Sequence, residues 1–174
     1  MRRRRLLLLG AGASLSGCGF HPVYMPTASG NLGVAQRELA AINVSLIPDR
    51  PGQLLRHALQ ERFEGAGDSV ARRYDLSVGF WIAGEGIAIT SNSVATRVRE
   101  IGNANWTLTA QDPGRTKLTS GYAKAVDGLN VFDTQYFAYD LESEAVTKRL
   151  AEALADQIAL QLAAYFRRQA GKSG

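Results

Sequence analysis

The chain contains few residues whose types and spacing could perform catalytic chemistry. Its one cysteine is Cys18 and its two histidines are His21 and His57. His21 lacks the further ligands that a structural metal site requires. His57 lies beside the apolar stripe of a predicted helix, among charged residues, which favours a solvated position over a catalytic base. The chain also lacks a Gly-x-Ser-x-Gly turn and the full Gly-x-x-x-x-Gly-Lys-Ser/Thr pattern of a phosphate-binding loop, so we predict a protein that is not an enzyme and needs no metal or cofactor.

Cys18 follows a segment with the form of a secretory signal. Four arginines, Arg2 to Arg5, precede an apolar run from Leu6 to Leu15 that is too short to span a bilayer as a stable helix. The ending Leu-Ser-Gly-Cys at residues 15–18 resembles the lipobox of bacterial lipoproteins, in which the cysteine thiol receives a diacylglyceryl group and becomes the mature N-terminus. We therefore predict a signal peptide over residues 1–17 and lipid attachment at Cys18. The alternative is an ordinary signal peptide in which Cys18 is incidental.

The signal accounts for the positive charge of the chain. The sequence has 20 basic and 16 acidic residues, a formal net charge of +4, and the four arginines of the signal equal this excess. The remainder is neutral, so a nucleic-acid partner is not predicted. With a single cysteine no disulfide can form within the chain, and stability must come from packing. No later segment is apolar enough to cross a membrane, so the lipid is the predicted membrane attachment.

The first half of the folded region combines one strand and one helix. Residues 42–47 alternate apolar and polar side chains and end at Pro48, a pattern typical of a short strand. The sequence Asp-Arg-Pro-Gly at residues 49–52 then begins a helix, because proline is favoured in a first turn and the next apolar residues recur at helical spacing. Gly65 or Gly67 is predicted to end this helix.

Three strands are predicted next, as an antiparallel meander. The segments that show strand alternation are Tyr74 to Ile89, Val94 to Gln111 and Lys117 to Val126. Residues 84–86 indicate a bulge in the first strand, and residues 102–103 indicate an interruption of the second. Turn sequences at residues 90–93 and at residues 112–115, Asp-Pro-Gly-Arg, connect the three.

The last part of the chain is predicted as a loop followed by a long helix. Residues 127–138 form the loop, and the helix extends from Asp140 to about Gln169. Its apolar side chains are four apart along one side: Val146, Leu150, Leu154, Ile158, Leu162 and Phe166. Such a stripe could also bind a partner, but packing on the chain's own sheet is favoured because a sheet with one apolar face must be covered.

These elements predict an α+β fold with the order β-α-β-β-β-α. Two helices would pack on one face of a four-stranded, mostly antiparallel sheet and form a two-layer sandwich, with a polar opposite face. The predicted divisions of the chain are a signal peptide at 1–17, a lipid-anchored tether at 18–40, a single α+β domain at 41–170 and a disordered tail at 171–174.

Basic residues are concentrated in the strand region. Between residues 97 and 124 there are five basic and two acidic residues: Arg97, Arg99, Arg115, Lys117 and Lys124 against Glu100 and Asp112. Adjacent strands could gather these cations into one patch, which would suit the phosphate or carboxylate groups of an amphiphile. The alternative is an ordinary solvated strand face.

Four stretches of the chain carry a family resemblance. They are residues 15–24 at the mature start, residues 49–53 at the first helix, residues 95–97 before an Ala-x-Trp-x-Leu strand, and residues 153–158 in the last helix. In combination and spacing they resemble the lipopolysaccharide-assembly lipoprotein family, whose members plug and chaperone the lipopolysaccharide-translocating β-barrel of the outer membrane. The resemblance covers nearly the whole mature chain and matches its order of elements, although only the lipobox is diagnostic by itself.

The resemblance implies a non-enzymatic role. The folded domain would sit inside the barrel lumen, assist barrel assembly and contact lipopolysaccharide on its way to the outer leaflet. By region and charge, without a matched motif, it implies Arg97, Arg99 and Lys124 as lipopolysaccharide-binding residues. Gly19 after the cysteine, rather than Asp, resembles the sorting pattern for outer-membrane delivery, and the predicted location is the periplasmic side of the outer membrane, with a lipid anchor. The second hypothesis is an auxiliary lipoprotein of an ABC-type lipid transporter, which also begins with a lipobox and a small α+β domain.

Overall fold

The computed structural model describes residues 33–64, 70–89, 95–130 and 136–171. They form three helices and four strands in the order α1 (Val34–Ala40), β1 (Ile42–Val44), α2 (Asp49–Phe63), β2 (Tyr74–Ile89), β3 (Ala95–Ala110), β4 (Lys117–Asn130) and α3 (Tyr136–Ala170). The predicted lipid-attachment residue, Cys18, lies outside the described residues.

The four strands form one mixed sheet in the order β1-β2-β3-β4. β1 pairs with β2 in parallel, and α2 lies between these two strands in the chain. β2 and β3 form a long antiparallel hairpin that aligns Glu85 with Arg99, and β4 is antiparallel to β3 with Lys124 opposite Asn103. The predicted α+β class and antiparallel meander are confirmed in outline, and the parallel β1–β2 pair makes the sheet mixed.

Alternation along the strands gives this sheet one apolar and one polar face. Side chains on the apolar face are buried in a single core, among them Leu76, Ala104, Trp106, Leu108 and Ala123. The outer face carries the odd-numbered residues of β2 and β3 and the even-numbered residues of β4, because paired residues point to the same side and neighbours along a strand to opposite sides. We use the term outer face for this surface below.

The long helix α3 covers the apolar face. It packs on β3 and β4 and on both other helices. The predicted stripe of six apolar residues is buried along its whole length, from Val146 to Phe166. α2 packs on α3 through Leu55, Ala58 and Leu59, which are also buried. The prediction that the last helix covers the sheet is therefore confirmed.

α1 is a helix that the sequence patterns do not predict. Its residues Ala35, Leu39 and Ala40 are buried, and it packs on α3 and α2. Residues 34–40 therefore belong to the folded domain, although they fall within the range 18–40 predicted as a tether. The predicted signal peptide and residues 18–32 lie outside the described residues, and for these the division of the chain stays a prediction.

Strand and loop boundaries differ from the predicted ones in three places. β1 ends at Val44, so it is shorter than the predicted 42–47. β3 continues through residues 102–103, where an interruption was predicted, because Gly102 lies under α3 and leaves space for Leu154. The loop predicted at 127–138 is wrong at both ends, since β4 extends to Asn130 and α3 begins at Tyr136. The predicted irregularity in the first strand is present as register shifts between Gly86 and Ile89.

Two glutamines of α3 hold the edge strand β4 by its main chain. Gln157 accepts a hydrogen bond from the Lys124 amide at 3.3 Å and donates one to the Lys124 carbonyl at 3.0 Å. Gln161 donates to the Tyr122 carbonyl at 3.0 Å and accepts from Trp106 Nε1 at 3.1 Å. These side chains satisfy main-chain groups that an edge strand would otherwise present to solvent.

Asp75 joins the other end of the sheet. Its carboxylate accepts hydrogen bonds from Asn43 on β1, from Gln111 after β3 and from Arg115 in the turn before β4, each at 2.9 Å. The amide donors on Asn43 and Gln111 are the main causes that lower its pKa, with a smaller contribution from the Arg115 charge. Because the folded pKa is depressed, the charged carboxylate stabilises the fold above the unfolded pKa, and this contribution is lost as the pH falls through the folded pKa.

Gly121 is a strand glycine that close packing requires. A Cβ added there would lie 2.5 Å from Trp106 Cζ2 and 2.8 Å from Gln161 Oε1. We expect Gly121→Ala to destabilise the domain by about 1–3 kcal/mol through overpacking, measured by urea unfolding. Gly79→Ala is the matched control, because its added Cβ has no neighbour closer than 4.0 Å. Equal unfolding free energies for the two variants would contradict the packing of Trp106 and Gln161 over Gly121.

Asp75→Asn should lower the free energy of unfolding at neutral pH by about 1–2 kcal/mol, because it removes the charge from hydrogen bonds made to a carboxylate. The difference from the wild type should shrink as the pH falls through the depressed pKa of folded Asp75, because the wild-type carboxylate then loses its charge. Urea unfolding at pH 7 and at a series of decreasing acidic pH values measures both effects. Asp140→Asn, on an exposed part of α3, is the control that should change neither. If Asp75→Asn lowered the free energy of unfolding by the same amount in acid as at pH 7, the stabilising role of the charged Asp75 carboxylate would be contradicted.

Candidate functional site

The outer face carries all three predicted lipopolysaccharide-binding residues. Arg97 and Arg99 lie two residues apart on β3, and Lys124 lies on β4 opposite Asn103. All three are exposed. At about 3.4 Å per strand residue, Lys124 is roughly 14 Å along the sheet from Arg99. The structure thus places the three cations on one surface, in two groups.

The two arginines differ in their partners. Arg99 lies opposite Glu85 on β2, and its Nη2 and Nε both donate to Glu85 Oε2, at 2.9 and 3.2 Å. Both side chains of this ion pair are about half exposed. Arg97 makes no ion pair with any residue that the structure describes. The group formed by Arg97 and Arg99 therefore contains one guanidinium held by an exposed carboxylate and one open to solvent.

Lys124 stands among large apolar and aromatic side chains. In the row across the sheet it is aligned with Asn103 and Trp81, and its neighbours on the same side of β4 are Tyr122 and Val126. Trp81 and Tyr122 are each 48% exposed and Val126 is 56% exposed. The Tyr122 hydroxyl donates to Asn103 Oδ1, which keeps the ring against the sheet. An ammonium group beside exposed aromatic and aliphatic surface is suited to an amphiphile rather than to a free ion.

The other two basic residues of the predicted patch lie elsewhere. Lys117 is aligned with Thr109, and Arg115 is bound to Asp75 in the turn before β4. This end of the sheet is about ten strand residues, roughly 34 Å, from Arg99. The prediction that one patch gathers all five cations is therefore wrong for Arg115 and Lys117.

The apolar members of this surface were missed by reasoning from charge. The alternation along β2 already assigns Trp81 to the polar side of the strand, and this signal could have identified it. Tyr122 and Val126 occupy the same side of β4 as Lys124. We call the residues Trp81, Arg97, Arg99, Tyr122, Lys124 and Val126 the amphiphilic patch.

Two acidic residues lie behind the patch, on the core side of the same strands. Glu100 is aligned with Asp127, and burial together with the Asp127 charge raises the Glu100 pKa. Burial also acts to raise the Asp127 pKa, but hydrogen bonds from Arg149 and from the Gly128 amide outweigh it and lower that pKa. The Asp127–Arg149 ion pair, with Nε 2.6 Å from Oδ2, attaches α3 to β4. These carboxylates are structural and do not face the amphiphilic patch.

His57 lies in a groove between α2 and α3 with a volume of about 730 Å³. Its Nδ1 is 3.3 Å from Glu61, one turn away on the same helix, and both are exposed. Other charges at the groove are also paired, as in Arg50 with Glu144 at 2.7 Å. Within the described part of the chain, no group of three or more His, Cys, Asp or Glu side chains could hold a metal ion.

A helix that could span a bilayer is also absent from the described ranges. The described domain has a core covered by helices and an open outer face. Its geometry defines a small two-layer α+β module with one uncovered sheet surface.

Comparison with known proteins agrees with this class. The family model for lipopolysaccharide assembly, LptE, matches residues 39–162. The chain therefore belongs to the lipopolysaccharide-assembly (LptE) family. A search of curated proteins finds no match.

Solved structures of lipoproteins share the fold at low sequence identity. A putative lipoprotein from Caulobacter crescentus is 19% identical with a TM-score of 0.61, and the match covers 76% of this chain and 96% of that one. Rare lipoprotein B from Shewanella oneidensis is 14% identical with a TM-score of 0.50, covering 71% and 92%. An uncharacterized lipoprotein B from Nitrosomonas europaea is 13% identical with a TM-score of 0.51, covering 71% and 81%.

Family membership confirms several predictions made from the sequence. The resemblance was correct, and the protein is a non-enzymatic lipoprotein of the outer membrane that acts in lipopolysaccharide assembly. It works with the lipopolysaccharide transport machinery. The family also favours this role over that of an auxiliary lipoprotein in an ABC-type lipid transporter.

Proposed function

We propose that the protein is the lipoprotein subunit of the lipopolysaccharide translocon. In this role it assists assembly of the lipopolysaccharide-transport β-barrel, plugs its lumen, and contacts lipopolysaccharide during delivery to the outer leaflet. Cys18 carries the lipid that anchors the domain to the periplasmic side of the outer membrane. Lipid attachment at one cysteine provides firm anchoring when several acyl chains are present.

The observation that carries the lipid-contact part is the composition of the amphiphilic patch. Lipopolysaccharide is an anionic glycolipid, so a surface that recognises it needs cations beside apolar area. Arg97 and Arg99 can donate two parallel hydrogen bonds to a phosphate, whereas Lys124 offers a point charge. Trp81, at the same level of the sheet as Lys124, and Val126, two residues farther along β4, are both about half exposed and supply apolar contact.

The Arg99–Glu85 ion pair does not obstruct this use of the patch. Both groups are about half exposed, and exposed ion pairs contribute only about 0–1 kcal/mol. A phosphate carries more charge than a carboxylate and accepts from both guanidinium nitrogens, so it can displace Glu85 at little cost. Only a strongly anionic ligand would compete with Glu85 for Arg99, so the ion pair would select against weakly charged ligands.

A β-barrel is the partner that we infer for this domain. Outside the signal the basic and acidic residues are equal in number, and charges on the helices are paired, as in Arg50 with Glu144. Such a surface is suited to the polar lumen of a barrel. Family membership supports a partner in the transport machinery, and a barrel that receives the domain is our inference from it.

We expect the double variant Arg97→Glu, Lys124→Glu to bind lipopolysaccharide on the order of tenfold more weakly or worse, because it replaces two attractive charges with repulsive ones. The control is Lys117→Glu, Arg168→Glu, which changes net charge by the same amount at sites away from the patch. Binding of purified lipopolysaccharide and the urea unfolding midpoint should be measured for both. Equal affinity of the two variants would mean that the patch is an ordinary solvated strand face.

We also expect the lipoprotein, extracted from outer membranes with detergent, to co-purify with one large barrel protein. Depletion of the lipoprotein should leave this barrel misassembled. The Cys18→Ala variant should not incorporate radiolabelled palmitate, because it cannot receive the lipid. Mass spectrometry of the co-purified proteins and palmitate labelling of the lipoprotein measure these outcomes.

A normally assembled barrel in depleted cells would contradict the proposed role. Inner-membrane or substrate-binding components as the main neighbours, with no barrel, would instead support the ABC-type transporter hypothesis. Palmitate labelling of Cys18→Ala equal to that of the wild type would contradict lipid attachment at this residue.

A further inference from the structure

Asn103 is a buried amide on a face of the sheet that is otherwise open to solvent. Its side chain is 8% exposed, and among the described residues it is the one polar side chain that is buried. Asn105, the next residue of β3 on the same face, is exposed. Asn103 is aligned with Trp81 on β2 and with Lys124 on β4, so it lies between two members of the amphiphilic patch. A buried amide costs free energy unless it is hydrogen-bonded, so its partners show what it does.

Two hydrogen bonds fix the orientation of the Asn103 amide. Its Nδ2 donates to the Ile101 carbonyl at 3.1 Å. A carbonyl oxygen can only accept, so the amide nitrogen must face Ile101 and Oδ1 must face the other way. Oδ1 accepts from the Tyr122 hydroxyl. Because an amide oxygen cannot donate, the hydroxyl hydrogen of Tyr122 is committed to this bond.

The main chains that carry Asn103 and Tyr122 are held from the core side of the sheet. Gln161 on α3 donates to the Tyr122 carbonyl at 3.0 Å. Asn103 follows Gly102, where an added Cβ would lie 3.2 Å from Leu154 of α3. With both main chains fixed by the helix, rotation about its side-chain bonds is the freedom that remains to the Tyr122 ring.

The bond to Asn103 removes this freedom. Tyr122 is 48% exposed, so packing alone restrains only part of its ring. Across the ladder Tyr122 is aligned with Asn105, yet its hydroxyl bonds to Asn103, two residues away along β3. The ring therefore extends diagonally over the sheet, as long side chains on neighbouring strands can, toward the row that contains Trp81 and Lys124.

We propose that Asn103 is a positioning residue for the amphiphilic patch, because it fixes the Tyr122 ring in place before a ligand arrives. This inference rests on the proposed function, in which the ligand is lipopolysaccharide. A side chain that must be immobilised on binding lowers affinity, so a ring that is already fixed raises it. Asn103 is itself too buried to contact the ligand and acts through Tyr122.

The same bond determines what Tyr122 offers to a ligand. Its hydroxyl hydrogen is used by Asn103, so the oxygen presents only lone pairs to solvent. Phosphate oxygens without a proton also only accept, and Tyr122 therefore does not bind them. Recognition of phosphate is left to the cations of the patch, while the fixed ring contributes aromatic surface to the uncharged parts of the glycolipid.

A purely structural role for Asn103 makes a different prediction. Replacing hydrogen-bonded groups by apolar ones of similar shape is often nearly neutral for stability, because the net contribution of such a bond is small. The Tyr122 hydroxyl is on the exposed face and can bond to water when Asn103 is replaced. We therefore expect the larger effect of losing this amide to be on ligand binding.

The test compares Asn103→Val with Asn105→Val in the full lipoprotein solubilised in detergent. Both exchanges are made on the outer face of β3, and valine is favoured in strands. Asn105 makes no side-chain hydrogen bond with any residue that the structure describes. Asn103→Val should bind purified lipopolysaccharide on the order of three- to tenfold more weakly than the wild type, whereas Asn105→Val should bind no more weakly. Urea unfolding checks the fold, and Asn103→Ala is the second variant.

A double variant isolates the route through Tyr122. Tyr122→Phe keeps the ring but removes the hydroxyl that Asn103 holds. In this background Asn103→Val should cause no further loss of affinity, because the bond that it breaks is already absent. Carbon-13 relaxation of labelled tyrosine rings provides a measurement that needs no ligand. The Tyr122 ring should be less ordered in Asn103→Val than in the wild type or in Asn105→Val.

Wild-type affinity in folded Asn103→Val and Asn103→Ala would overturn the proposal. It would also be overturned if Asn103→Val caused the same loss with and without the Tyr122 hydroxyl, or left the ring as ordered as before. Weaker binding by Arg97→Glu, Lys124→Glu but not by the Asn103 variants would leave the proposed function standing and remove this inference alone. A wild type that binds no lipopolysaccharide would contradict the proposed function, and the role of Asn103 in binding would fail with it.

Discussion

Coverage of the apolar sheet face by α3 is the constraint on which the rest of the structure depends. Leu150, Leu154, Ile158 and Leu162 are almost completely buried against the strands, and full burial of such a side chain contributes about 1.5–3 kcal/mol. No disulfide assists, because the chain has one cysteine. α1 and α2 are held in turn by packing on α3, so the position of this helix fixes the rest of the helical layer. The opposite face of the sheet is left open because the described helices all lie on the core side, and the amphiphilic patch is a consequence of that arrangement.

The polar contacts of the domain differ in strength from place to place. On the core side, the Asp127–Arg149 ion pair attaches α3 to β4. At one end of the outer face, Asp75 joins three parts of the sheet. Around the amphiphilic patch, at the other end, Arg99 is held only by the exposed carboxylate of Glu85. Groups whose ion pairs are weak in water remain available to a ligand.

Much of this fold could be predicted from the sequence because its strands and its last helix carry strong periodic patterns. The alternation along β2 and the four-residue spacing along α3 each specify an apolar side. α1 could not be found in this way, since a seven-residue helix has little stability of its own and forms here because Leu39 packs into the core. Gly102 is typical of a break in a strand, but here its missing side chain serves the close approach of Leu154. Charge alone located Arg97, Arg99 and Lys124, whereas the exclusion of Arg115 required knowing that Asp75 lies beside it in space.

The hydrogen bonds from Gln157 and Gln161 have an evolutionary consequence. They bond to the amide and carbonyl groups of β4, which every residue except proline possesses, and so they do not depend on which side chains stand at 122 and 124. Those side chains point to the outer face and can be exchanged without loosening the helix from the strand. The outer face can therefore diverge while the architecture persists, which accords with lipoproteins that share this fold at 13–19% identity.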